Sequence, residues 1–215
     1  CIRDSFRAAR EQVYATCLAL ADRGYLAGTG GNVALRIDDG YFAVTPSAVD
    51  YYAMTADDVG IVRLSDAIQV EGDRPASVES GLHAAVLRAQ PNANASVHTH
   101  QPIASAYTLL GKALVVKSGE HQRTLGAGVP YVEYAPSGTA WLAMRVGTMF
   151  ESGAVACLMR NHGVVCLGRD ANQATERVRA LEAECAKQLL DTLIKDAKVD
   201  GSPLMNVLLG GSDKR

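Results

Sequence analysis

The stretch Val33-Ala34-Leu35-Arg36-Ile37-Asp38-Asp39-Gly40-Tyr41-Phe42-Ala43-Val44 decides the architecture, because two apolar runs flank an Asp-Asp-Gly turn. β-Branched and aromatic side chains suit a pleated surface, and Asp-Gly suits a tight hairpin, so residues 33–37 and 41–44 are expected to pair antiparallel. Outward from this hairpin, residues 59–64 read as a third strand. On its N-terminal side Phe6, Ala9, Val13, Cys17 and Leu20 recur at helical spacing over residues 3–23, and Gly24 follows where a helix would stop. On its C-terminal side, helical spacing over residues 77–90 ends before Pro91, and residues 95–98 follow as a strand. The remaining pattern predicts a short helix over 103–110, strands over 113–117 and 131–134, and a helix over 137–150 capped by Ser137. Strands over 155–159 and 164–167 flank Asn161-His162-Gly163. Asp170 then caps a long helix to about residue 197, and the Gly-rich stretch 201–215 is expected to be a mobile tail. Hairpins interspersed with helices predict an α/β fold: a mixed, largely antiparallel central sheet with helices on both faces, in a single domain over residues 1–200.

The bulk numbers exclude several functions. Of 215 residues, 48% are hydrophobic and 20% charged, the balance of a folded globular protein. A net charge of -2 without basic blocks leaves no footprint for nucleic acid. Apolar runs such as residues 154–159 stop far short of the roughly 20 residues that cross a bilayer, so no membrane partner is expected. The five cysteines (Cys1, Cys17, Cys157, Cys166, Cys185) form no CxxC pair and are expected as free thiols in a reducing cytoplasm. The chain opens on Cys1 where an initiator Met would stand, so a trimmed form of a longer chain is expected.

The histidines carry the chemistry. His98 and His100 stand two apart at the end of an expected strand, where alternate side chains point the same way and can reach one ion. A tetrahedral zinc site with an open position takes three protein ligands, commonly neutral imidazoles. His162, in a turn between two apolar strands, is the candidate third ligand; a hydrogen-bonded turn histidine is the alternative. His83 and His121 stand apart from other ligand types. His83 follows Glu79 by one helical turn and is expected at the surface or in support of the site. Glu79 beside a metal could take or deliver a proton; its other reading is an exposed first-turn glutamate favoured by the helix dipole.

The ordered set Gly28-Thr29-Gly30-Gly31-Asn32, Thr45-Pro46-Ser47, Ser77-Val78-Glu79 with His83, His98-Thr99-His100 and Asn161-His162-Gly163 resembles the class II aldolase/adducin family, over about residues 3–190. The resemblance implies a three-layer αβα sandwich, a homotetramer with active sites between subunits, and a lyase acting on a small hydroxy-carbonyl substrate, commonly phosphorylated. It assigns His98, His100 and His162 to a Zn2+ ion, Glu79 to acid/base work, and Thr29, Gly31, Asn32, Ser47 and Ser77 to binding the substrate's phosphate. Three imidazoles also accept Mn2+ or Co2+. A Gly-rich turn with short hydroxyl side chains suits an anion, although glycine clusters are common in turns of every kind.

Three departures bear on the substrate. Ala48 stands where relatives carry the Gly of Thr-Pro-x-Gly. Val78 stands where a serine often precedes the acid, which removes a hydrogen-bond partner for a phosphate. The stretch Lys117-Ser118-Gly119-Glu120-His121-Gln122-Arg123 lacks the tyrosine that fuculose-phosphate aldolases contribute across the subunit interface; Glu120 or His121 is the candidate replacement, and a solvated loop the alternative. The family's shared intermediate is an enediolate, used for aldol cleavage, epimerisation, dehydration and decarboxylation, so the fold does not choose among them. Glu rather than Asp at position 79 resembles the aldolases. A non-catalytic, adducin-like interaction module is the reading of another class, and its mark would be loss of the histidines that are present here.

Overall fold

The expected hairpin forms: β1 (Asn32–Arg36) pairs antiparallel with β2 (Tyr41–Val44), with Ala34 opposite Val44 and Arg36 opposite Phe42. Asp38 closes the turn, its Oδ1 accepting from the N–H groups of Gly40 and Tyr41. The computed structural model describes residues 2–26 and 28–197, so the tail expected from residue 201 lies outside the described residues.

From the hairpin the sheet grows both ways. On one side come β3 (Gly60–Arg63) and the short β4 (Gln69–Glu71); on the other come β5 (Ala95–Thr99), β10 (Gly163–Gly168), β9 (Ala156–Met159) and β8 (Tyr131–Val132). All neighbours are antiparallel except β8 and β9. A second ribbon pairs β6 (Leu114–Val115) with β7 (Gly128–Val129).

Strand alternation divides the sheet's side chains between two apolar layers. Leu35, Val97, Leu158 and Cys166 point into one, which α1 (Ile2–Ala21), α3 (Pro102–Thr108) and α6 (Ala171–Ala197) cover with Val13, Leu20, Ala104, Val178 and Leu181. Ala34, Phe42, Val165 and Leu167 point into the other, covered by α2 (Ser80–Ala89) and α5 (Ala140–Glu151) through Leu82, Val86, Leu142 and Phe150. The result is the expected three-layer αβα sandwich on a mixed, largely antiparallel sheet. Burial of a side chain of this size stabilises by about 1.5–3 kcal/mol, so the two layers supply the main driving force for folding.

Four local expectations are corrected. Thr139, not Ser137, caps α5, accepting from Leu142 N at 3.2 Å. Glu79 stands at the N-cap of α2 rather than inside its first turn. The segment considered as a solvated loop is instead α4 (Gly119–Leu125), started by Ser118. The strands expected over 113–117 and 131–134 shrink to two residues each.

Candidate metal centre and its carboxylate

The three central strands β1, β5 and β10 carry the site. Ser96 and His98 are two apart on β5 and so share the face turned towards α2, while Asn32 on β1 lies directly opposite His98. His100 continues the line just past the strand end, and His162 enters from the β9–β10 turn. That turn bends sharply because Asn161 adopts φ 52°, a left-handed conformation that asparagine tolerates better than most residues.

The geometry brings His98, His100 and His162 together and leaves room for an ion. One ring nitrogen from each lies within 4.8 Å of the others, and the ring centroids are 4.7, 4.8 and 5.3 Å apart. His98 Nδ1 donates to Val164 O at 2.8 Å, which leaves its Nε2 as a lone pair facing the cluster. His100 Nε2 lies 2.9 Å from that atom, so the two nitrogens can share one proton or one cation but cannot both carry hydrogen. Gly163 makes the convergence possible: a Cβ there would collide with Thr99 O and sit 2.7 Å from His100 Cδ2 and 3.2 Å from His98 Cε1. Among the described residues no cysteine joins the group. Three converging imidazoles without a fourth ligand fit an open divalent-metal site.

Glu79 closes the cluster. Its Oε1 accepts from Ser137 Oγ at 2.8 Å and lies 3.2 Å from His162 Nε2. Its Oε2 accepts from Asn32 Nδ2 at 2.8 Å and lies 3.2 Å from His98 Nε2. Burial works against the charge on this carboxyl, but His98, His162 and the Asn32 hydrogen bond outweigh it and hold Glu79 below the usual carboxylate range. Burial also pushes His98 down to about 3 and lowers His100. Both imidazoles are therefore neutral at pH 7, and Asn32 and Ser137 each donate to one oxygen of the Glu79 carboxylate.

Other candidate residues fall into three groups. His83, which could have been a surface residue, is fully buried, with Nδ1 2.7 Å from Ser96 Oγ and Nε2 2.6 Å from Asn32 Oδ1. Thr29 is exposed and Ser47 half-buried; Ser77 is buried, with Oγ accepting from Glu79 N at 3.2 Å and its own N–H donating to Thr45 O. Gly31 adopts φ +85°, and a Cβ would lie 2.8 Å from His98 O, so only glycine lets the turn pass this close to the strand that carries His98. His121 sits on α4 with Nδ1 2.8 Å from Glu184 Oε2, and Glu120 beside it is exposed; neither makes a hydrogen bond or ring contact with the three histidines. Three participants escaped the sequence reading. Ser137 holds Glu79, Tyr51 donates its hydroxyl to Gly31 O and pins the Gly-rich turn, and Glu184 orients His121. Only the serine carried a signal, and it pointed to a helix cap.

An αβα sandwich whose central strands converge three imidazoles on a buried carboxylate defines a class of metal-binding proteins. The chain belongs to the class II aldolase and adducin family: the model of the "Class II Aldolase and Adducin N-terminal domain" matches residues 11–189. An L-fuculose phosphate aldolase of Methanocaldococcus jannaschii is 31% identical over 186 residues, covering 86% of this chain and 98% of that one. A methylthioribulose-1-phosphate dehydratase of Yersinia enterocolitica is 29% identical over 196 residues, covering 84% and 93%. The crystal structure of L-fuculose-1-phosphate aldolase from Thermus thermophilus superposes with a TM-score of 0.75 at 29% identity, covering 92% of this chain and 99% of that one. Fold, family and the expectation of a lyase of this family are borne out. No helix among the described residues is long and apolar enough to cross a membrane, and Cys17, Cys157, Cys166 and Cys185 are free and buried.

Proposed function

We propose that the chain is a zinc-dependent lyase that cleaves a small, phosphorylated hydroxy-ketone in the manner of an aldolase, with His98, His100 and His162 as metal ligands. The observation that carries this reading is the placement of both Glu79 oxygens 3.2 Å from imidazole nitrogens of a three-histidine cluster. A divalent cation bound there would supply Lewis acidity for adjacent substrate oxygens and for the negative charge that develops as a carbon–carbon bond breaks.

The chain's own groups do the rest. Neutral His98 and His100 offer lone pairs at neutral pH without a proton to displace. Glu79 is ionised and held by one donor on each oxygen, so it can take a proton at either oxygen and return it without moving. Exposed Ser137 on Oε1 marks the side from which substrate reaches it. Thr29, Gly31, Ser47 and Ser77 serve the substrate's anionic group. Glu120 or His121, reaching the neighbouring subunit's site in a homotetramer, serves as the second proton carrier, and the enzyme works in the cytoplasm.

A dehydratase is the second reading. It is favoured by the similarity to a methylthioribulose-1-phosphate dehydratase and by the absence of tyrosine from residues 116–125. One experiment separates them: zinc-loaded protein is incubated with phosphorylated and unphosphorylated ketoses and sugar acids, and products are identified by mass spectrometry. Paired aldehyde and three-carbon ketone products support aldol cleavage. Loss of water with the carbon chain intact, or release of carbon dioxide with a chain one carbon shorter, sinks it, and no turnover of any ketose by metal-loaded protein removes the lyase reading.

A further inference from the structure

The buried line Ser96–His83–Asn32–Glu79 points to a task for Asn32 other than anion binding. Asn32 is only 6% exposed, and both ends of its amide are engaged: Nδ2 donates to Glu79 Oε2 at 2.8 Å, and Oδ1 lies 2.6 Å from His83 Nε2. An amide could sit either way round in the same space. The flipped orientation would aim its carbonyl lone pairs at a carboxylate, so the charge on Glu79 selects the observed one. With Oδ1 as acceptor, His83 Nε2 must carry the hydrogen. His83 Nδ1 is then the unprotonated nitrogen, and Ser96 Oγ, at 2.7 Å, donates to it. Every proton in the line is thereby assigned by complementarity alone.

Backbone pairing holds the line at fixed spacing. Asn32 lies opposite His98 and Ala34 opposite Ser96, so β1 and β5 fix where Asn32 and Ser96 stand, while His83 and Glu79 are locked together one helical turn apart on α2. Both His83 and Ser96 have no exposed surface. A buried imidazole and hydroxyl that touch no solvent are costly to retain unless satisfied; Ser96 satisfies one ring nitrogen of His83, and Asn32 satisfies the other.

We propose that Asn32 and His83 are positioning residues for Glu79: His83, its tautomer set by Ser96, fixes the Asn32 amide so that one N–H holds Oε2 of the carboxylate beside the histidine cluster. The consequence for turnover rests on the reading of Glu79 as the proton-transfer group; the tautomer of His83 does not.

Two measurements test it. Histidine 15N NMR on the full-length protein reads the tautomer without activity: His83 should show a protonated Nε2 in slow exchange, and Asn32→Leu should abolish that preference. A His83 ring protonated at Nδ1 overturns the proposal, whether or not any substrate turns over. The second measurement is kinetic. Asn32→Leu and the milder His83→Gln should each lower kcat roughly 10- to 100-fold with KM and zinc content within about twofold. The double variant should be no slower than the slower single, because both break one line. Inorganic phosphate, used as a competitive inhibitor, should keep its inhibition constant within about twofold in Asn32→Leu. Additive losses in the double variant overturn the proposal. So does a phosphate constant or KM raised about tenfold with kcat unchanged, which would make Asn32 an anion ligand. Should His83→Gln fail to fold, Ser96→Ala tests the same line from its far end, with a smaller kcat loss expected and an unchanged kcat overturning it.

Discussion

Replacing Gly163 by Ala tests the proposed metal centre without replacing any of its three histidines. The added Cβ would meet Thr99 O and lie 2.7 Å from His100 Cδ2 and 3.2 Å from His98 Cε1. Ordinary contact starts near 3.4 Å, so the His100 ring must retreat by about 0.7 Å and β10 must shift from β5. Overpacking of this kind costs about 1–3 kcal/mol, and the loss of glycine's unfolded-state freedom returns about 0.4–1 kcal/mol, leaving a net destabilisation of at most about 2.6 kcal/mol. The larger effect is expected on ion binding, because moving one of the three histidines relative to the others changes the shape of the proposed site. A loss of about 10- to 100-fold in zinc affinity is expected, read by competition with a chromophoric chelator, with stability followed by urea denaturation. Gly81→Ala on α2 is the control: a Cβ there meets nothing within 4 Å, and alanine in a helix gains roughly 0.5–1 kcal/mol. If Gly163→Ala binds zinc within about twofold of the parent, the three histidines do not form the site argued for them.

Three further outcomes are expected. Ala48 holds φ 54°, a left-handed conformation costing about 1–2 kcal/mol for a residue with a Cβ, against about 0.4–1 kcal/mol for glycine's extra unfolded freedom; Ala48→Gly should therefore raise the urea midpoint slightly, and a lowered midpoint refutes the strain. Burial pushes His83 down to about 4 from an ordinary 6.5, so the unfolded chain binds more protons between these values, and stability should fall as pH drops through that window. The limit is about 3 kcal/mol, and His83→Gln should flatten this part of the pH–stability curve; an unchanged slope counts against a neutral buried His83. The thiols of Cys17, Cys157, Cys166 and Cys185 are fully buried and raised by burial, Cys166 to about 12, so iodoacetamide at pH 8 should leave all four unmodified until the protein unfolds.

The sandwich was legible because its signals are local. The Asp-Asp-Gly hairpin, the helical spacing of Phe6 to Leu20 and the Asp170 cap each depend on neighbours in sequence, and each formed, Asp170 Oδ1 accepting from Gln173 N at 2.8 Å. What escaped was short or set by distant partners. β4 and β7 are three and two residues long, below the length at which alternation can be read. α4 is seven residues held against α6 by the His121–Glu184 contact, and no pattern within residues 119–125 encodes a partner 63 residues away.

The candidate site divides along the same line. His98 and His100 share a strand face by period-two geometry, and that much follows from spacing alone. The surroundings of Glu79 do not. Its carboxylate is held by Asn32, 47 residues before it, and by Ser137, 58 residues after it. Ser137 and Thr139 are two short hydroxyl residues at the start of one helix, and by propensity either could cap it. The structure gives the cap to Thr139 and turns Ser137 to the carboxylate, because the β8–α5 connection brings Ser137 over the start of α2, where a Cβ on Gly138 would lie 3.3 Å from Val78 O. Gly138 can do so at φ +73°, and a side chain there would push the segment away from Glu79. The spacing therefore carries the histidines, but the surroundings of the carboxylate beside them are decided by contacts that exist only once three separate segments have packed.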